Sequence, residues 1–393
     1  MRIGIFHTGG PEWTGGERYV RNLILALKQV PSAEPIFLAP ANKTEDELVP
    51  WTALGCEVLP VQSLNRWTPS WCLRQFARFT KQVGHDVWSE EFLKDHRIGV
   101  TYLRPCLGRL GAIPNISWVP DFQHLHLPEM FNEQETEFRN SQIRLAAEYS
   151  ARIVLSSHHA YQDFVRLFPT YARKGRVLQF VASVGQDVYH RNPNDVLLRY
   201  GLPEKFFYLP NQFWKHKNHL LVIKALGLLK LGGQDISVVC TGNHMDYRHP
   251  QHWEDLKKAI ADNGISKELV LLGMVPAEDI FPLIRQCIAV LNPSHFEGWS
   301  TTVEEAKSVG KRVLLSEIPV HREQDPPGAN YFNPNSPDDL ARKMYELWRE
   351  VSPGADLAME KMARDKLKTR LEECGSRFLQ IAREASCEPK AMR

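Results

Sequence analysis

The chain reads as an α/β protein of two doubly wound, Rossmann-like domains, and three observations carry that expectation. Short apolar runs alternate with amphipathic helical stretches nearly throughout, the pattern of strand-helix-strand units around a parallel sheet. The series occurs twice, on either side of a polar, Asn- and Pro-containing stretch at residues 186–194. At 393 residues the chain is also longer than one ordinary core supports. The expected domains are residues 1–188 and 189–370, facing a central cleft. Residues 371–393 are expected to form a C-terminal helix that packs back on the first domain.

Each element follows from local pattern. Residues 3–6 form a strand, a Gly-rich loop follows at 9–16, and residues 17–30 form a helix. Val20, Leu23, Ile24 and Leu27 share one face of that helix. Further strands of the first series are expected at 35–38, 99–103, 116–119, 153–156 and 176–180. The second series has strands at 206–209, 236–240, 269–272, 288–292 and 312–315, with a helix at 218–230. Residues 355–385 read as one or two charged amphipathic helices, and no repeat of solenoid period occurs. In doubly wound sheets ligands bind beyond the carboxyl ends of the strands, so the loops after strands carry the chemistry.

Composition narrows the function classes. Hydrophobic residues at 43% and charged residues at 24% suit a soluble globular protein. Lys plus Arg number 48 against 46 for Asp plus Glu, and a net charge of +2 argues against bulk attraction to nucleic acid. Seven cysteines, scattered and without a Cys-x-x-Cys pair, favour reduced thiols in the cytoplasm over a disulfide framework or zinc site. No apolar run approaches the ~20 residues that cross a bilayer. The apolar start ends at Gly9-Gly10-Pro11, as a buried strand would and a signal peptide would not.

The most informative stretch is Leu291-Asn292-Pro293-Ser294-His295-Phe296-Glu297-Gly298-Trp299-Ser300-Thr301-Thr302-Val303-Glu304-Glu305. A strand ends at Pro293, a loop follows, and a helix begins near Ser300 or Thr301, where Thr301-Thr302-Val303-Glu304 fits the capping-box pattern. Free amide groups at such a helix start form an anion site suited to phosphate. Glu297 precedes that site and Glu305 lies one turn beyond it, and carboxylates accept hydrogen bonds from sugar hydroxyls. The plainer reading is a solvated acidic helix. The ordered succession of strand, loop, Gly298 and helix favours the site.

This segment resembles family 4 glycosyltransferases of the GT-B fold, which carry Glu, seven residues, then Glu at this place. The resemblance implies that Glu305 holds ribose hydroxyls and Glu297 the transferred sugar, while Gly298, Trp299, Ser300, Thr301 and Thr302 lend contacts to sugar and diphosphate. Asn211-Gln212-Phe213-Trp214-Lys215-His216-Lys217-Asn218 is a second match. Lys217 would neutralise the donor diphosphate. Gln212 stands where the family usually has Arg, so one cation is missing, and Lys215 or His216 is the expected substitute. In the first domain Thr14-Gly15-Gly16-Glu17 would bring backbone close to the same diphosphate through Gly15 and Gly16. A plain turn explains that Gly pair equally well. A third match is Trp118-Val119-Pro120-Asp121-Phe122-Gln123-His124. Many relatives have His where this chain has Pro120, so His124 or Gln123 is expected to reach the sugar, with Asp121 beside it or capping the next turn.

Density of resemblance is high over residues 100–340 and loose over 40–98. It implies a retaining hexosyltransferase of polysaccharide biosynthesis, working by front-face attack without a covalent intermediate. Asp-x-Asp is absent, so no cofactor or metal is expected, and Lys217 with the helix ends would stabilise the leaving diphosphate. GDP-mannose is the favoured donor, UDP-sugars the next, and the acceptor a glycan or lipid-linked molecule. Arg66-Trp67-Thr68-Pro69-Ser70-Trp71, followed by Arg74, Arg78 and Lys81 at helical spacing, suits peripheral contact of residues 66–83 with the inner face of a membrane. Cys72, Phe76, Phe79 and Val83 lie on another face of that helix, and an ordinary core-packed surface helix is the simpler account. Gly-x-Gly-x-x-Gly is absent, against a dinucleotide oxidoreductase. The rival readings are a nucleotide-sugar epimerase, a pyridoxal-phosphate phosphorylase, for which no Schiff-base lysine is identifiable, and a non-catalytic subunit that binds nucleotide sugar.

Overall fold

A computed structural model describes residues 1–8, 14–80, 86–103 and 112–387 of the chain, with only the backbone for Thr14, Arg74 and residues 77–80. Gly9, Gly10, Pro11, Lys81, Val83 and Cys106, named above, lie outside the described residues. So do the side chains of Arg74, Arg78 and Phe79.

Two wholly parallel sheets organise the chain. The first holds β1 (Arg2–Phe6), β2 (Glu34–Pro40), β3 (Glu57–Val61), β4 (Val100–Tyr102), β5 (Asn115–Val119), β6 (Arg152–Leu155) and β7 (Gly175–Val177) in the order β3-β2-β1-β4-β5-β6-β7. The second holds β8 (Phe207–Leu209), β9 (Val238–Cys240), β10 (Leu269–Leu271), β11 (Val290–Asn292), β12 (Val313–Ser316) and β13 (Ala329–Phe332) in the order β10-β9-β8-β11-β12-β13. Continuous apolar runs explain the central strands: Ile36, Phe37, Leu38 and Ala39 of β2 are wholly buried, as are Val238, Val239 and Cys240 of β9. In both sheets the chain order reverses once, between β1 and β4 in the first and between β8 and β11 in the second.

Two compact units result. The first comprises Met1–Phe122, Asn132–Val181 and Lys368–Arg393, and the second Gln123–Phe131 and Ala182–Leu367. The boundaries fall at Val181 and Leu367, against 188 and 370 from the sequence, and the short helix Gln123–His126 counts with the second unit. Within the first unit the helix Leu357–Cys387 contributes Phe378, Ile381, Ala382 and Ala385, all wholly buried. The Phe378 ring stands edge-on to Tyr102, with centres 4.8 Å apart. Glu384 receives Arg176 at 2.7 Å and Arg152 at 3.5 Å. No helix among the described residues is long and apolar enough to cross a membrane.

Candidate active site in the second unit

β8 and β11 are the strands on either side of the order reversal in the second sheet, and the loops leaving them meet. Such a switch point is where doubly wound sheets bind ligands, because the two loops run to opposite faces of the sheet and leave backbone amides pointing into the gap. The β11 loop leads into the helix Thr301–Ser308; the β8 loop passes through a short turn, Lys215–Lys217, into the helix His219–Leu231.

Asn292, the last residue of β11 and wholly buried, organises the meeting. Its Oδ1 accepts from Asn211 Nδ2 at 3.0 Å and from the Ser294 hydroxyl at 2.7 Å. Its Nδ2 donates to the Ser300 hydroxyl at 2.9 Å and to Glu297 Oε1 at 3.4 Å. Asn218, in the left-handed region at φ 57°, donates through Nδ2 to the carbonyls of Pro293 and Pro334 at 3.1 and 3.0 Å. That residue turns the chain after Lys217 and pins it to the β11 loop. His295 completes the join by donating its amide to the His216 carbonyl at 2.8 Å.

Glu297 and Lys217 thereby come together, with Nζ and Oε1 2.7 Å apart. Oε1 also accepts from the Ser294 hydroxyl at 2.7 Å. Among the described residues Oε2 accepts no hydrogen bond, so the carboxylate is anchored by one oxygen and open at the other. Burial pushes the Glu297 carboxyl upward, but the neighbouring Lys217 ammonium, with the Ser294 bond, outweighs it and holds the group below the ordinary range. Behind the pair, His321 is wholly buried, and its Nδ1 donates to the Ser316 carbonyl at 2.9 Å. Burial pushes its imidazole down to about 4, against an upward pull from Glu297, so the ring is neutral at pH 7. Its Nε2 is then an acceptor, and it is buried with no partner.

The helix start differs from the expected capping box. Ser300, not Thr301, is the cap: its hydroxyl accepts the Val303 amide at 3.3 Å. Glu304 therefore falls one position too late to complete a box, and instead accepts from Gln324 Nε2 at 3.3 Å. Gln324 also brackets Ser300, accepting its amide at 3.1 Å and donating to its carbonyl at 3.0 Å. The amides of Thr301 and Thr302 find no protein acceptor among the described residues, which leaves two N–H groups at the positive end of the helix. Thr302 donates its hydroxyl to Asn211 Oδ1 at 3.2 Å, tying the helix to the β8 loop. Trp299 and Glu305 are buried, at 9% and 7% exposure, while Gly298 is half-buried in the loop.

Gln212, Lys217, Glu297, Gly298, Trp299, Ser300, Thr301, Thr302 and Glu305 all lie in the second unit, and hydrogen bonds through Asn292 and Asn211 join Lys217, Glu297, Ser300 and Thr302. Gly15 and Gly16 belong to the first unit, in the opening turn of the helix Thr14–Leu27, and so does Asp121, which pairs with Arg139 at 2.6 Å. His124 is buried at 2% exposure and stands edge-on to Phe131. From the same segment, the His126 ring stacks on Phe296 of the Glu297 loop with centres 5.2 Å apart. His216 cannot stand in for a missing cation: burial, then Lys217 and Arg248, hold it far below its usual range and therefore neutral. Asn292, Ser294, His321 and Gln324 escaped sequence reasoning as site residues. The available signal was a polar side chain closing an apolar strand, as in Val290-Leu291-Asn292 and Leu314-Leu315-Ser316.

Residues 199–364 match the family of glycosyl transferases group 1. Solved structures align over nearly the whole chain. A glycosyltransferase from Rickettsia africae ESF-5 is 17% identical with TM-score 0.67, covering 99% of each chain. Anabaena Alr3699/HepE, solved in complex with UDP and glucose, is 16% identical with TM-score 0.64 over 98% of each chain. Sucrose-phosphate synthase from Thermosynechococcus elongatus is 13% identical with TM-score 0.64 over 98% of each chain. No curated protein matches the sequence. The fold is that of GT-B glycosyltransferases, two α/β units each built on a parallel sheet.

Proposed function

We propose that the protein is a retaining hexosyltransferase that takes its sugar from a nucleotide diphosphate donor without a metal ion. The carrying observation is Glu297, held through Oε1 by Lys217 and Ser294 and open at Oε2, beside the two idle amides of Thr301 and Thr302. An oriented carboxylate next to an anion site matches a sugar joined to phosphate: Oε2 accepts sugar hydroxyls, and the amides with Lys217 receive the diphosphate. Glu305 is assigned the ribose hydroxyls. Glu297 spends its charge on Lys217, which suits a hydroxyl acceptor better than a nucleophile and favours front-face attack, with the leaving phosphate oxygen taking the acceptor's proton. The protein then contributes chiefly by position and fixed positive charge. GDP-mannose is the favoured donor, with UDP-sugars next, and a glycan or lipid-linked molecule is the acceptor.

A thermal-shift panel of GDP, UDP and dTDP sugars tests the reading, since a ligand bound only by the folded state raises the midpoint. A rise with one base series, followed by transfer with retained anomeric configuration, is the expected result. Conversion of donor without acceptor would identify an epimerase. Binding without transfer or hydrolysis would favour a non-catalytic subunit, for which Pro120 and Gln212 are the supporting departures. Cytoplasmic action at a membrane surface is part of the proposal. Trp67 is 81% exposed, Phe76 is 59% exposed, and Trp67 packs on Trp71 with ring centres 4.7 Å apart. Sedimentation with anionic liposomes should carry the wild type down and leave Trp67→Ser with Phe76→Ser in the supernatant.

A further inference from the structure

Arg248 lies in the loop between β9 and the helix His252–Asp262. Its guanidinium carbon is 4.7 Å from the centre of the Phe131 ring, 5.5 Å from Tyr247 and 5.6 Å from Trp214. Aromatic faces hold a cation in place without accepting its N–H groups in the fork geometry that carboxylates and phosphates offer. Nε of Arg248 is buried without a partner, and no carboxylate among the described residues forms an ion pair with the side chain. Asp246, two residues earlier, does not neutralise it. Both oxygens of that buried carboxylate go to backbone, Oδ1 to the Arg248 amide at 3.1 Å and Oδ2 to the Lys215 amide at 2.9 Å. A buried guanidinium nitrogen such as this Nε is rarely left without an acceptor unless a ligand supplies one.

The same loop is docked on the β8 loop through the position where the expected Arg is replaced. Gln212 Oε1 accepts the Asn243 amide at 3.1 Å. Gly242, at φ 143°, passes so close that a Cβ there would sit 2.4 Å from the Asn211 carbonyl oxygen. The amide side chain thus joins two loops, and the joined loop brings a guanidinium of its own. Buried His216, next to Lys217 in sequence, is within electrostatic reach of both Lys217 and Arg248.

We infer that Arg248 is a phosphate-binding residue: seated on Phe131, Trp214 and Tyr247, it supplies the cation that Gln212 does not. This rests on the reading of the second unit as a nucleotide-sugar site. The phosphate belongs either to the donor diphosphate or to a phosphorylated acceptor, and titration separates the two. Wild type, Arg248→Gln and Arg248→Lys would be titrated calorimetrically with GDP, UDP and farnesyl diphosphate, with thermal midpoints as the control for folding. A charged hydrogen-bonded contact predicts a loss of roughly ten- to hundredfold in Arg248→Gln, partly restored in Arg248→Lys. Loss confined to the nucleoside diphosphate assigns Arg248 to the donor, and loss confined to farnesyl diphosphate assigns it to the acceptor. Unchanged affinities for every diphosphate the wild type binds would overturn the inference while leaving the nucleotide-sugar reading intact. A wild type that binds none of the three would remove both.

Discussion

At the residue scale the site turns on a carboxylate that is half spent. Glu297 gives Oε1 to Lys217, Ser294 and Asn292 and keeps Oε2 for a ligand. Glu297→Gln preserves shape and leaves an oxygen for Lys217, but removes the charge that aligns sugar hydroxyls. Its turnover should fall by about 10² or more, with nucleoside diphosphate affinity within a few-fold of wild type, as read by steady-state kinetics and calorimetry. Glu297→Ala also leaves the half-buried Lys217 ammonium without its partner, and should cost roughly 1–3 kcal/mol of stability on denaturant unfolding. An Ala variant as active as wild type would sink the assignment. His321 makes a second prediction, in pH. The unfolded chain binds a proton near 6.5, whereas the native ring resists it down to about 4. Native stability from this group is therefore complete above pH 6.5 and is lost as pH falls towards 4, on the order of 3 kcal/mol in all. The fall in melting temperature between pH 6.5 and 4 should be shallower in His321→Gln than in wild type. Equal slopes would mean that the buried ring does not report on this window.

At the element scale, what was legible in the sequence depended on burial. Most strands announced themselves as apolar runs, and β1, β2, β4 to β7 and β8 to β12 appear within a few residues of expectation. β3 and β13 were missed because their residues are mixed in pattern and exposed on part of their surface, whereas the other two edge strands, β7 and β10, were read. β3 even carries Pro60, which an edge tolerates and a central strand does not. The Thr14–Leu27 helix begins three residues before its expected start because Gly15 and Gly16, read as loop, lie in its first turn. At the site, the Glu297–Glu305 spacing and the following helix were readable because the chemistry is contiguous. Its supports were not. Asn292, His321 and Gln324 act across gaps of up to 81 residues, through hydrogen bonds that only the parallel order β8-β11-β12 creates. Arg248 was hidden in the same way, since nothing local ties it to Phe131 or Trp214.

At the scale of the whole molecule, two sheets mean two cores, and the C-terminal helix serves both. Its residues up to Leu367 count with the second unit and those from Lys368 with the first. Gly375 allows the close pass, since a Cβ there would stand 2.3 Å from the Ala26 carbonyl oxygen. Phe378 then fills the first core against Tyr102, while Glu384 ties down Arg152 at the start of β6 and Arg176 in β7. The nucleotide-sugar residues proposed above that cluster around Glu297 all lie in the other unit. Stability of the first core and nucleotide binding should therefore separate. Phe378→Ala removes a wholly buried ring and should cost roughly 3–5 kcal/mol. In calorimetric unfolding that loss should appear as a lowered transition for the first unit, with nucleoside diphosphate affinity at 15 °C changed by no more than a few-fold. If affinity instead collapses in step with the transition, the two units fold as one, and the donor site depends on residues of the first unit beyond those assigned to it.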